Sequence, residues 1–325
     1  MSTETITARP WAGPQDTEAI RALLRLRYWQ QGPPSYPSAS DFDYWLATTG
    51  NRAVPQGIQL WFDGDQLVGY VWPADNELDC IVHPRTHAAL PAMVAWADAR
   101  LCANPSTSET LKAWCFAGDA PMEALLTAAG YQRSDEFLRC SVFDMHAPLP
   151  DAPVLPAGYT VRSLRGAEEA EARAAAHMAA FPDWPMNAAK HVRAMHTQTY
   201  RLDLDLVATA PDGTPDGTPD CTPDGTPYGI IVATAIVWYD AALRMGLFEP
   251  IGCDPAHQRR HLATACIVEG LRRLKVAGAS VAVVCGWRDD SVGSRLYEKL
   301  GFREGERRYV WEKQLQQTDD VITKE

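Results

Sequence analysis

The residues best placed to do chemistry lie between 247 and 264, which read LFEPIGCDPAHQRRHLAT. An apolar, strand-like run leads into a tight turn at Asp254-Pro255 and directly into a helix start. The first amides of a helix have no internal partner, and the helix dipole adds partial positive charge there. With Arg259 and Arg260 beside them, these amides suit a pyrophosphate. Pro250 has no N–H for a sheet ladder, so it belongs at a bulge or where neighbouring strands part. A parted strand offers free backbone groups to an extended, amide-bearing ligand. Glu249 is a carboxylate inside that apolar strand, an environment that raises a carboxyl pKa and suits it to accept a proton. No Cys or Ser stands with a His at nucleophile–base spacing, so direct attack is favoured over a covalent intermediate.

Each of these residues also has a plain reading. Glu249 serves equally as a polar residue at a strand edge, and Arg259 and Arg260 as solvated helix charges. His261 reads as a surface imidazole. Tyr297, between Leu296 and Leu300, reads as a core aromatic. Phe181, Trp184 and Met186 suit core packing as well as an acceptor pocket.

The elements that position these residues follow from periodicity and punctuation. Residues 159–163 form a short strand and 167–180 an Ala/Glu-rich helix. The β-branched runs 204–209 and 229–238 read as a hairpin, and 247–253 as a strand interrupted by Pro250. Residues 259–276 are helical, with Ala263, Ile267, Leu271 and Leu274 on one face. Gly278 ends that helix, and 280–285 is an apolar strand of the parallel type. A helix over 292–300 closes at Gly301, and 309–312 is the last strand. The order predicts an α/β (α+β) architecture, a mixed sheet with helices on its faces.

The same marks occur twice. Ile81-Val82-His83-Pro84 precedes an Ala-rich stretch, and Gly252-Cys253-Asp254-Pro255 does so 171 residues later. Residues 125–131 and 296–302 repeat at that same offset. Pro148, Pro150, Pro153 and Pro156 lie between the copies, a density that blocks helix and sheet. The chain therefore reads as domain 1–147, linker 148–157 and domain 158–325. A four-residue Pro-Asp-Gly-Thr repeat over 211–226 accounts for most of the extra length of the second copy. Its Asp212, Asp216, Asp220 and Asp224 lack the ligand mix of a Ca²⁺ loop, so it reads as a solvated hairpin loop and no metal is expected. In the first copy, 85–90 lacks the paired arginines and Leu126 stands at the Tyr297 position, so that half is expected to have lost ligand binding.

Composition narrows the class. The chain has 325 residues and a formal charge of −11, which argues against nucleic acid or anionic lipid as main partner. The eight cysteines form no CxxC pair and read as reduced thiols of a cytoplasmic protein. The N-terminus has no signal-peptide pattern. The longest apolar run, 229–238, falls well short of the ~20 residues of a membrane helix.

Gln258 to Ala263 (QRRHLA) resembles the Q/R-x-x-G-x-G/A loop of the GNAT acyltransferase superfamily, and RLYEKLGF at 295–302 resembles its C-terminal segment. The resemblance covers 159–311, with the first half as a degenerate copy, so it implies two tandem GNAT-like domains, each a mixed, mostly antiparallel twisted sheet flanked by helices. It implies that Ile251, Gly252 and Cys253 meet pantetheine, and that Gln258, Arg259, Arg260, His261, Leu262, Ala263 and Thr264 meet the pyrophosphate of acetyl-CoA. It also implies Glu249 as base and Tyr297 as acid. His261 stands where the family has Gly, on a backbone expected to be helical. Asp290 stands where many members carry Asn at a cofactor position. The implied activity is acetyl transfer from acetyl-CoA to a primary amine on a small molecule or peptide, by a monomer or homodimer. The alternatives are a longer acyl donor, or a non-catalytic acyl-CoA-binding or protein-interaction module.

Overall fold

The computed structural model describes residues 6–48, 57–73, 76–103, 109–211 and 229–315. In chain order its elements are β1 (Thr7–Pro10), α1 (Pro14–Gln31), α2 (Ala39–Thr48), β2 (Gln59–Asp63), β3 (Gln66–Val71), β4 (Glu77–Leu78) and β5 (Cys80–Val82). Next come α3 (Leu90–Ala103), β6 (Thr110–Phe116), α4 (Ala120–Ala128), β7 (Gln132–Asp144), β8 (Thr160–Ser163), α5 (Ala170–Ala180) and α6 (Ala188–Met195). The rest are β9 (Asp205–Ala210), β10 (Ile230–Asp240), β11 (Met245–Cys253), α7 (Leu262–Val276), β12 (Val281–Trp287), α8 (Val292–Lys299) and β13 (Arg303–Gln314).

These elements fold as two compact units that do not follow chain order. The first takes the described residues of 1–31, 53–139 and 306–325; the second takes those of 32–52 and 140–305. The halves that repeat one another in sequence have thus each placed a segment in the other unit: α2 folds with the second, and the C-terminal part of β13 with the first.

In the first unit, β1, β2, β3 and β5 form an antiparallel sheet in that order. β6 pairs in parallel with β4 and antiparallel with β13, from Arg308 opposite Phe116 to Gln314 opposite Thr110. The core gathers Trp61, Val71, Met93, Leu101, Leu111, Leu126 and Trp311.

In the second unit the strand order is β12–β11–β10–β9–β8, with the C-terminal part of β7 beside β12. All these pairs from β8 to β11 are antiparallel, and β11–β12 is parallel. β9 and β10 form the expected hairpin, Ile230 facing Ala210; of the repeat between them, residues 212–226 lie outside the described residues. Helix α7 buries Ile267, Leu271 and Leu274 against Val237 and Phe248. Glycines set how closely it lies: a Cβ on Gly270 would stand 2.6 Å from Phe248 Cε1, and one on Gly246 2.2 Å from Leu274 Cδ1.

A buried ionic network ties α5, α6 and β9 together. Asp205, with no exposed surface, accepts from Tyr200 Oη at 2.9 Å and lies 3.4 Å from Arg173 Nε and 3.0 Å from His191 Nε2. Burial alone would raise the Asp205 pKa; the Arg173 charge with the His191 and Tyr200 hydrogen bonds outweighs it and holds the carboxyl below its usual range.

Two expectations about elements need correction, and one element is added. The helix expected from residue 259 begins at Leu262, because Arg259 (φ 61) and His261 (φ 62) are left-handed. The last strand is 12 residues, Arg303–Gln314, not four. Helix α6, eight residues capped by the Asn187 side chain on Lys190 N at 2.9 Å, is an element the sequence reading did not include.

Candidate active site

The site is built where β11 leaves β12. The parallel ladder runs from Met245 opposite Val281 to Phe248 opposite Val284 and extends no further. On its other side β11 stays paired with β10 to Cys253, but two residues, Glu249 and Pro250, lie opposite the single residue Ile236. This is a β-bulge, a device that re-aims a side chain and ends pairing. It falls at the proline that cannot donate. The Trp238 indole, itself fully buried, donates to the Glu249 carbonyl at 2.6 Å and anchors the bulge.

The Glu249 carboxyl meets two side chains that nothing in its own part of the sequence announces. The Asp41 carboxyl raises its pKa and the Trp45 side chain lowers it, both from α2. Asp41 is 1% exposed. Its Oδ2 accepts from Ser38 N at 2.6 Å and from Ser38 Oγ at 2.6 Å, while Ser38 Oγ accepts from Asp41 N at 3.3 Å. That reciprocal arrangement is a capping box at the start of α2. Its signature, Ser38 followed three residues later by Asp41, is readable in the sequence; its second role against Glu249 is not. Burial first, then the Asp41 charge, push the Glu249 pKa well above the usual carboxylate value. Burial also raises Asp41.

Tyr297 lies on α8, which Ser291 caps by accepting from Ser294 N at 3.1 Å. Its ring rests on two glycines: a Cβ on Gly286 would come within 3.4 Å of Tyr297 Cε2, and one on Gly293 within 3.4 Å of its Oη. Burial raises the Tyr297 pKa, with Cys285 and Glu249 adding to the effect, so the phenol keeps its proton. The Glu249 charge is thus felt at the Tyr297 phenol. An aromatic group closes the surroundings: Tyr44 stands 5.4 Å from Trp238 and 5.9 Å from Trp184, and Trp184 stands 6.0 Å from Phe181. Gly252 packs against that group, since a Cβ there would be 2.6 Å from Phe181 Cε2.

The turn after β11 is ordered by its own side chains. Asp254 accepts from Ala256 N at 2.8 Å, and a single 3₁₀ turn (Pro255–His257) follows. Gln258 Nε2 donates to Cys253 O at 3.4 Å, and Arg260 Nη1 to Ala256 O at 2.7 Å, with the Arg260 guanidinium 5.7 Å from the Tyr159 ring centroid. Arg260 is thus engaged within the turn, whereas Arg259 is exposed. His261 occupies the N-cap of α7 but makes no side-chain cap bond, so the first α7 amides, at Leu262, Ala263 and Thr264, keep the capacity to bind an anion. Half-buried Ile251 and Cys253 flank buried Gly252 on the free side of β11. Asp290 stands apart, exposed and paired with Arg288 Nε at 3.4 Å. Among the described residues, no group of three or more His, Cys, Asp and Glu is placed to hold a metal ion, and no helix is long and apolar enough to cross a membrane.

A parted parallel strand pair, a helix N-terminus following the parting strand and a carboxyl on the bulge give this unit a GNAT-type fold. Comparison with solved structures agrees. A GCN5-related N-acetyltransferase from Sphaerobacter thermophilus superposes with a TM-score of 0.63 over 96% of this chain and 96% of its own, at 20% identity. A tandem GNAT protein from the clavulanic acid biosynthesis pathway gives a TM-score of 0.63 over 97% of this chain and 100% of its own, at 17% identity. In sequence, the chain is 28% identical over 247 residues to a mycothiol acetyltransferase of Streptomyces scabiei, 74% of each. No family model matches the chain. The protein has the tandem GNAT fold.

Proposed function

We propose that this protein is an acyltransferase that moves an acetyl group from acetyl-CoA to a primary amine by direct attack. The observation that carries the proposal is the parting of β11 from β12 after the Phe248–Val284 pair, with the Glu249 bulge and the uncapped α7 N-terminus at that end of the strand. Acetyl-CoA would supply the activated thioester, held by the free edge of β11 at 251–253 and by the amides and cations of 258–264. Glu249 accepts the proton that the amine must lose before its lone pair can attack. Tyr297, kept protonated by burial, donates at the departing sulfur. The bulge aims Glu249, and the Trp238 indole fixes its backbone. The similarity to a mycothiol acetyltransferase supports a small-molecule amine as the acceptor.

An amine panel with acetyl-CoA, followed by free thiol release, tests this. We expect turnover on at least one amine. On that amine, Tyr297→Phe and Glu249→Gln should each lower kcat by about 10²–10⁴ with acetyl-CoA affinity nearly unchanged. Binding without thiol release across the panel would favour a non-catalytic acyl-CoA-binding module.

A further inference from the structure

The first unit repeats the parting of strands seen in the second. Its parallel β4–β6 ladder stops at Leu78 opposite Ala113, and from Cys80 the chain pairs with β3. β6 runs on to Phe116. At the 171-residue offset Leu78 stands where the second unit has Glu249, so an apolar residue replaces the candidate base. Two arginines converge on this parting. Arg308 of β13 holds Asp79, the residue between β4 and β5, at 2.6 and 3.3 Å. Its guanidinium carbon lies 4.8 Å from the Phe116 ring centroid and 5.4 Å from that of Trp114. Arg27 of α1 reaches the same Phe116 ring, at 5.3 Å.

The two arginines differ in what holds them. Arg308 is paired with Asp79. Arg27 is 5% exposed, its Nε is sealed from solvent, and it makes no hydrogen bond or ion pair among the described residues. Burying a charge without a partner is costly. An arginine cannot relieve that cost by losing its proton near neutrality. Burial and the Arg308 charge push the Arg27 pKa down, while the charges of Glu306, Tyr70 and Asp79 pull it up. Of the two carboxylates, Asp79 is taken by Arg308 and Glu306 makes no hydrogen bond to Arg27.

We propose that the parting in the first unit is a binding site for a small molecule bearing a carboxylate, with Arg27 as its anchor. The Phe116 ring holds the guanidinium by its face, which leaves the in-plane N–H groups to meet a ligand. Those groups match the two oxygens of a carboxylate. One unpaired cation calls for one negative charge, which a carboxylate carries and a phosphate group near neutrality exceeds. Trp114 and Phe116, two residues apart on β6, offer flat apolar surface to the rest of the molecule. The site is distinct from a pyrophosphate turn, because 85–90 lacks paired arginines. It stands independently of the acyltransferase reading.

Thermal unfolding of the full chain tests this, with acetate and inorganic phosphate each replacing chloride at constant ionic strength. Acetate should raise the wild-type midpoint saturably, as a ligand of the folded state does, and leave that of Arg27→Met unmoved. Without acetate, Arg27→Met should not lower the midpoint, because it keeps an apolar stem and leaves no partner charge behind. A clear drop there would make Arg27 structural and overturn the proposal. No acetate response in the wild type, or an equal response in both proteins, would also overturn it. A phosphate response that depends on Arg27 and exceeds that of acetate would overturn the carboxylate class. Arg27→Lys is the second variant: it keeps the charge and loses the fork, so the half-saturating acetate concentration should rise. An unchanged acetate response in Arg27→Lys, or failure of both variants to fold, would count against the anchor role and overturn the proposal.

Discussion

His261 holds a backbone conformation that costs an L-residue free energy. At φ 62 it sits in the left-handed region, at the loop position where the GNAT pattern has glycine. The side chain is exposed and makes no cap bond, so no side-chain hydrogen bond at the cap offsets the strain. The left-handed region costs a non-glycine residue roughly 1–2 kcal/mol, while glycine raises the entropy of the unfolded chain by roughly 0.5–1 kcal/mol. The first exceeds the second, so His261→Gly should stabilise the protein by up to about 1 kcal/mol. Urea denaturation checks this, and a clear loss of stability would show that the imidazole holds the turn. Arg259, also left-handed at φ 61, differs in kind: its exposed cation is free to face an anion at the α7 N-terminus.

At the scale of elements, close approach is what glycine provides. Gly270 lies mid-helix in α7, where alanine would normally gain about 1 kcal/mol of helix propensity. A methyl there would meet Phe248 Cε1 at 2.6 Å and Val237 Cγ2 at 2.9 Å, both buried and well packed. Overpacking of that kind costs about 1–3 kcal/mol and outweighs propensity. Gly270→Ala should therefore destabilise by about 1–2 kcal/mol net, read as a lower urea midpoint with an unchanged slope. Because α7 sits directly behind the strand that bears Glu249, kcat should fall as well. The long elements of this unit were legible because their apolar periods are strong: the β9–β10 hairpin, β11 and the face of α7. The turn before α7 was misread as helix because nothing in Arg259 or His261 marks a left-handed backbone as glycine would. Helix α6 was missed because eight residues give too little periodicity. Glu249 and Tyr297 were singled out by motif and placement. Asp41 was not: its local pattern explains a helix cap completely, and its partner lies 208 residues away.

On the scale of the whole molecule, sequence halves and compact units diverge, and that divergence is testable. The Pro-rich stretch 148–157 is the natural place to cut by sequence. Fragment 1–147 would then lose the β13 partner of β6, and with it Trp311, the Arg308 pair with Asp79 at 2.6 Å and the Lys313 pair with Asp98 at 2.9 Å. Fragment 158–325 would lose α2, whose Phe42 and Tyr44 are fully buried, together with Asp41 and the final residues of β7. Burying such side chains contributes about 1.5–3 kcal/mol each, against a total stability of about 5–15 kcal/mol for a domain. Phe42 and Tyr44 by themselves thus represent a large share of what holds the second unit folded. Neither fragment should show a cooperative thermal transition when produced alone. Produced together, they should associate, since each carries the segment the other lacks, and the pair should regain acetyl-CoA binding. If fragment 158–325 alone melts cooperatively and binds acetyl-CoA, then α2 is an accessory of the site rather than part of its fold.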